Sequence, residues 1–374
     1  MDNEKLITKI KLKNMNITLK TLLVATVLTL NFELQTLNLQ AQDIHFSQFT
    51  MTPLNLDPSQ AGKFGGDVRT IINYRDQWSS VTSYPFRTYG VSYDMRFNKS
   101  KKDDFFGGGI SVYSDKAGEI SLRNTLVNLT LAYHIRLNQE SYLSAGFQGG
   151  FFQTGLSTAN MRFDSQFNGS GHNAALSSNE AFQTTSFFEP DFAAGVSYSW
   201  GTNTTAQVIS NNGYDGIKVN IGTALHRVAS PSYSFLGNNK DGLNFNFRYV
   251  LHANTSFGLG GSNIAIQPNG FFAFQQKATE FLMGMYLRYN LKEVSKYTKF
   301  SNGAALSIGM HLRVGDAFVP SVLIETGKFA FGISYDFNIS GLSSVSNGQG
   351  GYEFSIRYVS PNPFGTRTSQ ARFF

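Results

Sequence analysis

The chain has 374 residues, a formal net charge of +6 and no cysteine. Only 15% of its residues are charged, against about 25% in ordinary soluble domains, whereas 14% are aromatic. The lack of cysteine excludes a disulfide scaffold, thiol catalysis and cysteine-ligated metal sites, and the small net charge does not indicate a nucleic-acid partner. No apolar run approaches ~18 residues, which excludes a helical membrane protein. This composition is typical of an outer-membrane β-barrel, which faces lipid on one side and water on the other.

The N-terminus has the three parts of a secretory signal. Lysines precede the apolar stretch Thr21–Phe32, and Leu39-Gln40-Ala41 resembles a small-residue cleavage site. We therefore expect residues 1–41 to be a signal peptide and Gln42 to be the first mature residue. Met15 is an alternative start of translation, and an amphipathic first helix is the alternative to a signal.

The stretch Gln42–Asp67 separates the predicted signal from the first strand. It contains Pro53 and Pro58 and shows no alternation of apolar and polar residues, so it is not expected to be a strand. It is also too polar to span lipid. We expect it to lie in the periplasm or to fold into the barrel lumen as a plug.

From residue 68 onward the chain shows segments of about ten residues with period-two alternation, separated by clusters of Gly, Asn, Asp and Ser. An even number of antiparallel strands lets an up-and-down barrel close, and closure leaves no unpaired edge in lipid. We predict an all-β transmembrane barrel over 68–359, followed by a C-terminal tail over 360–374. The fourteen predicted strands are Val68–Tyr74, Phe86–Phe97, Phe105–Tyr113, Leu122–Leu137, Tyr142–Gln153, Pro190–Trp200, Ile217–Val228, Leu243–Thr255, Asn263–Gln275, Glu280–Leu291, Ala304–Val314, Ala317–Glu325, Lys328–Phe337 and Gly351–Val359.

The alternation is clearest in Tyr352–Tyr358 and Phe245–Tyr249, where aromatic and apolar residues occupy every second position. A soluble β-sandwich alternates in the same way, but the predicted signal, the lack of cysteine and the aromatic excess argue against it. The longest connection, 154–189, is rich in Ser, Asn, Gln and Gly. We expect it to lie outside the cell, where the long loops of such barrels usually are.

Arginines recur along the predicted strands. A charge that faces the lipid midplane of a barrel costs about 2–4 kcal/mol, so these arginines should point into the lumen or lie at the interfaces. We expect several of them to pair with inward carboxylates in a network that locks the plug, although simple hydration of the lumen is the alternative. The candidate network residues are Arg75, Arg87, Asp94, Asp336, Glu353 and Arg357.

The histidines are scattered without metal-ligand spacing, and no motif marks a nucleophile or an oxyanion site. We therefore expect no enzymatic activity, no metal and no cofactor. The triplet Gly107-Gly108-Gly109 lies within a predicted strand. We interpret it as a bend or as a place of close packing against the plug, and not as a phosphate-binding loop.

The block from Gln42 to Trp78 resembles the opening of a known family. The segments Phe331–Asp336 and Gly351–Tyr358 resemble that family's last strands. On these residues the chain resembles the PorP/SprF family, the type IX secretion system membrane proteins of Bacteroidetes. The matching residues of the opening are Asp43, Phe46, Ser47, Gln48, Phe49, Pro53, Leu54, Pro58, Ala61, Gly62, Arg69, Asn73, Tyr74, Arg75, Gln77 and Trp78.

The resemblance implies a non-enzymatic barrel in the outer membrane of a Gram-negative bacterium, similar in fold to long-chain fatty-acid transporters. It implies a role in type IX secretion or gliding motility, either anchoring or helping to export a large surface adhesin, or linking the secretion apparatus to the outer membrane. The expected partners are type IX secretion proteins, an adhesin with a C-terminal sorting domain, and outer-membrane lipid.

The opening block cannot contribute to the strand ladder, so we expect it to bind a partner or to plug the lumen. Two other functions stay open: a transporter that passes hydrophobic small molecules through a lateral opening, and a purely structural porin. The residues expected to bind a partner or form a plug are Asp43, Phe46, Gln48, Phe49, Pro53, Pro58 and Gly62.

Overall fold

Fourteen antiparallel strands form one closed barrel, in which each strand pairs with its neighbours in the chain and the last strand pairs with the first. The prediction of an all-β, fourteen-stranded up-and-down barrel is confirmed. The computed structural model describes residues 44–97, 104–158, 161–173, 175–179, 184–202, 216–230, 235, 246–260, 262–292, 303–341 and 343–360. The strands are β1 (Val68–Gln77), β2 (Phe86–Phe97), β3 (Phe105–Ala117), β4 (Leu122–Arg136), β5 (Ser141–Gly155), β6 (Ser186–Gly201), β7 (Ile217–His226), β8 (Arg248–Gly258), β9 (Ile264–Gln275), β10 (Ala278–Lys292), β11 (Ala304–Arg313), β12 (Ala317–Thr326), β13 (Phe329–Asn338) and β14 (Gln349–Ser360).

The seam between β1 and β14 is continuous. Its register runs without interruption from Val68 opposite Ser360 to Gln77 opposite Gly351. Every strand pairs with a neighbour on both sides over the body of the wall, so the closed barrel has no free edge strand, whose unpaired N–H and C=O groups lipid could not satisfy.

The wall of the barrel is apolar outside and polar inside. On β2, Tyr89 and Val91 are exposed on the outer face, whereas the alternate residues Thr88 and Ser92 are buried on the lumen side. Successive side chains of a strand point to opposite faces, so the alternation in the sequence becomes a difference between the two surfaces of the wall. Among the described residues, no helix is both long and apolar enough to cross a membrane.

Each predicted strand is present in the predicted order, and the differences lie at strand ends. The largest differences include β6, which begins at Ser186 and not at Pro190. β6 pairs with β7 only from Ala193 onward, so Pro190 lies where β6 has β5 as its single neighbour. A proline has no N–H to donate and is therefore tolerated where one side of the strand is unpaired.

The segment 44–67 lies inside the barrel and is named the plug here. Its apolar side chains are buried, Leu54 completely and Phe46 to 98%. Asp57 begins the last turn of the plug as its N-cap, where its carboxylate accepts a hydrogen bond from the Ser59 backbone N–H at 2.7 Å. The helical elements of the plug are the 3-10 turn Phe49–Met51, helix α1 (Pro53–Leu56) and the 3-10 turn Pro58–Gln60.

The two ends of the barrel are named from the first hairpin. The outer end is where β1 joins β2 and β5 joins β6, because the long connection 154–189 is expected to lie outside the cell; the opposite end is the inner end. The connection between β5 and β6 is at the outer end and contains a 3-10 turn, Asp164–Gln166, and a bridge between Phe167 and His172. Helix α2 (Ser343–Ser346) lies in the connection between β13 and β14, also at the outer end.

Candidate functional site

The plug crosses the lumen from the outer end to the inner end. Ile44 and Phe46 pack on Tyr113, Leu126 and Phe152, which face one another on β3, β4 and β5 close to the outer end. The plug finishes at the inner end, where β1 begins. The candidate functional site is therefore the whole contact between the plug and the lumen wall.

Near the outer end, the plug is held by charged side chains. The Asp336 carboxylate lies 2.8 Å from Arg75 and 3.1 Å from Arg313, and it accepts a hydrogen bond from the Ser47 hydroxyl at 2.7 Å. The Glu353 carboxylate accepts the backbone N–H of Ser47 at 2.8 Å. All these side chains are buried. The five residues Ser47, Arg75, Arg313, Asp336 and Glu353 are named the anchor cluster.

Gln48 extends the same contact. Its backbone N–H donates to Glu353 at 3.0 Å, and its side-chain amide donates to the Ser334 hydroxyl at 3.2 Å. Its amide oxygen accepts a hydrogen bond from the Ser355 hydroxyl at 2.6 Å. Both ends of this buried side chain are thus satisfied by the wall of β13 and β14, which specifies one position for the plug.

On the opposite wall, glycines leave room for the plug. A Cβ atom on Gly107, Gly146 or Gly195 would overlap atoms of the plug, including the Ala61 carbonyl oxygen and the Pro58 backbone. The missing side chains let the plug backbone lie directly against β3 and β5, and the Asp57 side chain directly against β6. The packing of Gly107 agrees with the interpretation of the glycine triplet as a place of close contact with the plug.

At mid-lumen, Asp57 links the plug to the wall. Its carboxylate lies 2.8 Å from His252 Nε2 and accepts the Ser59 hydroxyl at 2.7 Å, and the Ser59 and Ser197 hydroxyls are 2.6 Å apart. Serine, histidine and aspartate meet here, but the serine and the histidine each bind the carboxylate and not each other. A nucleophilic serine needs a base that accepts its proton and a third group that orients that base. The arrangement suits structural locking and not acyl transfer.

Lys63 lies beside the same group. Its Nζ donates to the Ser197 hydroxyl at 3.1 Å, and its side chain is buried. Burial disfavours the ammonium form and lowers the pKa of Lys63 to about 7, while the nearby Asp57 carboxylate acts in the opposite direction. A lysine in this position loses its proton more readily than an exposed lysine does.

Near the inner end, a second ion pair holds the plug backbone. The wall residues Arg69 and Asp94 pair at 2.7 Å. The Asp94 carboxylate also accepts a hydrogen bond from the backbone N–H of Gly62 in the plug, at 2.8 Å. His134 Nε2 lies 2.8 Å from the Ala61 carbonyl oxygen. Gly62 has a φ of +73°, a left-handed conformation that favours glycine.

The structure places all the described plug candidates inside the lumen. Phe49 packs edge-on against Phe271 with ring centroids 5.1 Å apart, and Pro53 and Pro58 start helical turns where a missing N–H costs nothing. Asp43 lies outside the described residues, as do residues 1–42 with the predicted signal peptide and cleavage site. The candidates found buried within the barrel are Phe46, Gln48, Phe49, Pro53, Pro58 and Gly62.

The predicted lumen network is divided among separate clusters. Arg75, Asp336 and Glu353 meet in the anchor cluster, and Asp94 is part of the pair near the inner end. Arg357 binds a different carboxylate, Glu325, at 2.8 Å.

Arg87 does not belong to the lumen network, which corrects the sequence-based expectation. Its neighbour Thr88 is the inward partner of Arg75, so Arg87 faces outward. The Arg87 side chain is 49% exposed and pairs with Asp76 at 3.0 Å on the outer wall. Tyr74 donates a hydrogen bond to the same carboxylate at 3.0 Å. This group lies near the outer end, in keeping with the alternative that such charges sit at an interface.

Sequence reasoning missed Asp57 and His252, which form the mid-lumen link. Asp57 has a recognisable local signal, because an aspartate before Pro58 and Ser59 suits a helix N-cap. His252 has none beyond its inward position on β8, since its partner is far away in the chain. Among the described residues, no group of three or more His, Cys, Asp or Glu could hold a metal ion.

Fold and site together define a class: a β-barrel of the outer-membrane type whose own N-terminal segment fills its lumen. The sequence profile of the type IX secretion system membrane proteins PorP/SprF matches residues 38–358. The chain therefore belongs to the PorP/SprF family and is an outer-membrane component of the type IX secretion system, which confirms the resemblance seen in the sequence.

Solved structures with similar folds are also barrels. The CymD monoaromatic hydrocarbon channel has a TM-score of 0.42 and 8% identity, over 83% of this chain and 93% of that chain. A Pseudomonas aeruginosa FadL homologue has a TM-score of 0.39 and 9% identity, over 81% and 97%. No curated protein matches the chain.

Proposed function

We propose that this protein is a non-enzymatic scaffold of type IX secretion or gliding, which anchors or helps to export a large surface adhesin, or links the secretion apparatus to the outer membrane. The observation that carries the proposal is the occupied lumen, since the plug is hydrogen-bonded to the wall from the anchor cluster to the inner end. A filled barrel is suited to holding a partner and not to passing a solute.

The polar lining of the lumen argues against the alternative, a transporter of hydrophobic small molecules. Such a site is usually a cleft lined by apolar side chains. Here the buried apolar side chains of the plug are already packed against the wall, as Phe49 is on Phe271. The remaining lining is dominated by charged and hydroxyl side chains.

The partner surface that we propose is the outer connection 156–185. Within its described part, Phe167 is 60% exposed and Leu176 is 40% exposed among polar residues. The Gln166 side chain lies 3.2 Å from His172 and donates to the Leu176 carbonyl at 3.1 Å, which holds the apolar residues in place. Exposed apolar side chains on an ordered loop are suited to a protein partner. The plug candidates are buried in this conformation, so we assign them to closing the lumen and not to the first contact with a partner.

A deletion strain tests the function. If the protein serves one adhesin, loss of the chain removes one large protein from the cell surface while other type IX cargo is still secreted. If it is a core link, secretion of all such cargo fails. Unchanged secretion and surface proteins, together with reduced uptake of hydrophobic compounds, would favour the transporter instead.

Loop variants locate the contact in that strain. Complementation with the double variant Phe167→Ser, Leu176→Ser should reduce recovery of the secreted partner in a detergent pull-down, because two apolar contacts are lost. The matched control replaces Ser170 and Ser177 of the same connection with alanine and should keep full recovery. Equal recovery with both variants would rule out this part of the loop as the contact.

A reversible cross-link tests whether the plug must leave. The chain has no cysteine, and the Ser59 and Ser197 hydroxyls are 2.6 Å apart, so cysteines at both positions should form a disulfide between plug and wall. A scaffold should keep its partner in the oxidised state. If oxidation abolishes recovery, reduction restores it and the single-cysteine variants are unaffected, then a static plug is excluded.

A further inference from the structure

The inner end of the lumen contains a group of charges whose described hydrogen bonds and ion pairs join wall residues only. Glu325 accepts a hydrogen bond from Arg288 Nε at 2.8 Å and from Arg357 Nη2 at 2.8 Å, each with a different carboxylate oxygen. Lys218 lies on the lumen-facing side of β7, close enough to Arg288 for the two positive charges to repel each other. The residues Lys218, Arg288, Glu325 and Arg357 are named the basic cluster.

Among the described residues, the basic cluster has three cations and one carboxylate, which is an excess of two positive charges. Among the described residues, Lys218 has no carboxylate within ion-pair distance. The next cation along the wall, Arg69, is already paired with Asp94. Unmatched positive charge in a partly desolvated space is unfavourable and is relieved by an anion.

Polar atoms around the cluster point to the same ligand. Asn290 is 4% exposed and Ser307 is completely buried, and the Asn290 Nδ2 and the Ser307 Oγ have no hydrogen-bond partner. Ser307 lies directly opposite Arg288 in the register, and Asn290 is the next inward residue of β10. Native proteins rarely leave buried donors unsatisfied without a ligand or water to complete them. Arg288 also keeps further N–H groups beyond those bound to Glu325 and Asn290.

The cluster is closed toward the plug and open toward water. Met51 of the plug packs in an apolar group with Ile71, Ala330 and the partly buried Leu323. This group lies on the plug side of the basic cluster. Glu325, two residues after Leu323 on β12, has a side chain that is 25% exposed, and its partner Arg357 on β14 is 28% exposed. Within the described part of the chain, these partly exposed side chains offer a ligand an approach that does not require the plug to move.

We propose that the basic cluster is a binding site for a phosphate-type oxyanion, held by Arg288, Arg357 and Lys218 with Asn290 and Ser307 as additional donors. A doubly charged phosphate matches the excess of two charges. The planar guanidinium groups present paired N–H donors to its oxygens, and the lysine adds a point charge. The phosphate group belongs either to the free ion or to a phosphomonoester that enters at the inner end.

Calorimetric titration of the full-length barrel in detergent with inorganic phosphate, at low ionic strength, tests the site. We expect saturable binding with one ion per chain. Lys218→Gln should weaken binding at least tenfold, and because Lys218 makes no hydrogen bond or ion pair within the described structure, this change should not disturb folding. Arg288→Gln should weaken it further. Arg87→Gln removes an equal charge from the outer wall and should bind phosphate as the unaltered protein does.

Two outcomes would overturn the proposal: no saturable binding to the unaltered protein, or equal binding by the Lys218→Gln and Arg87→Gln variants. Heat-modifiable migration in electrophoresis confirms that each variant barrel is folded. A parallel titration with glycerol 3-phosphate identifies the source. Tighter binding of the ester indicates a phosphomonoester ligand, whereas tighter binding of inorganic phosphate indicates the free ion.

Discussion

The two ends of the lumen use the same kinds of side chain for different purposes. In the anchor cluster, Asp336 lies between Arg75 and Arg313, and the Ser47 hydroxyl of the plug completes the group. In the basic cluster, the described cations outnumber the carboxylates, and the neighbouring plug residue Met51 packs in an apolar group with Ile71 and Ala330. Lumen arginines are thus buried beneath the plug near the outer end, whereas Arg357 near the inner end is partly exposed. A charged residue facing the lumen does not by itself indicate either role.

The largest effect is expected in the anchor cluster. Asp336→Ala should lower the free energy of unfolding by about 3–5 kcal/mol, because two buried guanidinium groups lose their shared carboxylate. The measurement is the midpoint of urea unfolding in detergent, with exposed Asp164→Ala as the control. A midpoint within error of the control would mean that the cluster does not hold the plug.

The next effect compares the two faces of one strand. Gly107→Ala places a Cβ against the Ala61 carbonyl oxygen and should cost about 1–3 kcal/mol by overpacking. Gly108→Ala places a Cβ 2.8 Å from the Phe97 ring, which can turn aside on the outer wall, and 3.7 Å from Leu131, so it should be nearly neutral. The readout is hydrogen exchange of the plug backbone in both variants. Similar exchange rates would show that the glycine wall does not position the plug.

A smaller and pH-dependent effect is expected at mid-lumen. Burial holds the pKa of Lys63 at about 7, below its ordinary 10.5. Between these values the unfolded chain binds more protons, so the free energy of unfolding should rise with pH by up to about 1.4 kcal/mol per unit. Below about pH 7 both states are protonated, and this dependence disappears.

The comparison of the unaltered protein with Lys63→Met isolates the contribution of Lys63. Urea midpoints measured from pH 6 to 9 should rise more steeply for the unaltered protein than for Lys63→Met. Parallel curves for the two proteins would contradict the assignment of the titration to Lys63.

The smallest effect is expected on the outer wall. Arg87→Gln removes a partly exposed ion pair with Asp76 and should leave both the urea midpoint and the exchange of the plug unchanged. Faster hydrogen exchange of the plug in this variant would mean that the outer-wall ion pair stabilises the plug. The two faces of the wall would then not be energetically independent.

Much of the barrel was predictable because its signal is local. Period-two alternation and turn residues mark each strand without knowledge of its partner, and an even number of strands is needed for closure. The family resemblance was readable from the opening block for the same reason, since its residues follow one another in the chain. The glycine triplet predicted close packing, but the alternation alone did not say that Gly107, and not Gly108, faces the plug.

Arg87 shows why the site was harder to predict. Arg75 and Arg87 lie on adjoining strands, yet one faces the lumen and the other faces outward. The face of an arginine follows only when its whole strand is considered: Arg87 lies two residues before the outward Tyr89, so period-two alternation places it on the outer face. Asp57 and His252 were missed because their contact joins distant parts of the chain.

The amino-acid sequence by itself determined the strands, their number, the polar lumen and the family, because each follows from local periodicity or from residues in a fixed order. Only the tertiary structure decided which charges meet, that the described N-terminal segment fills the lumen, and that the basic cluster stays open to water. Those features depend on register and on the path of the plug, which bring together side chains that no local pattern relates.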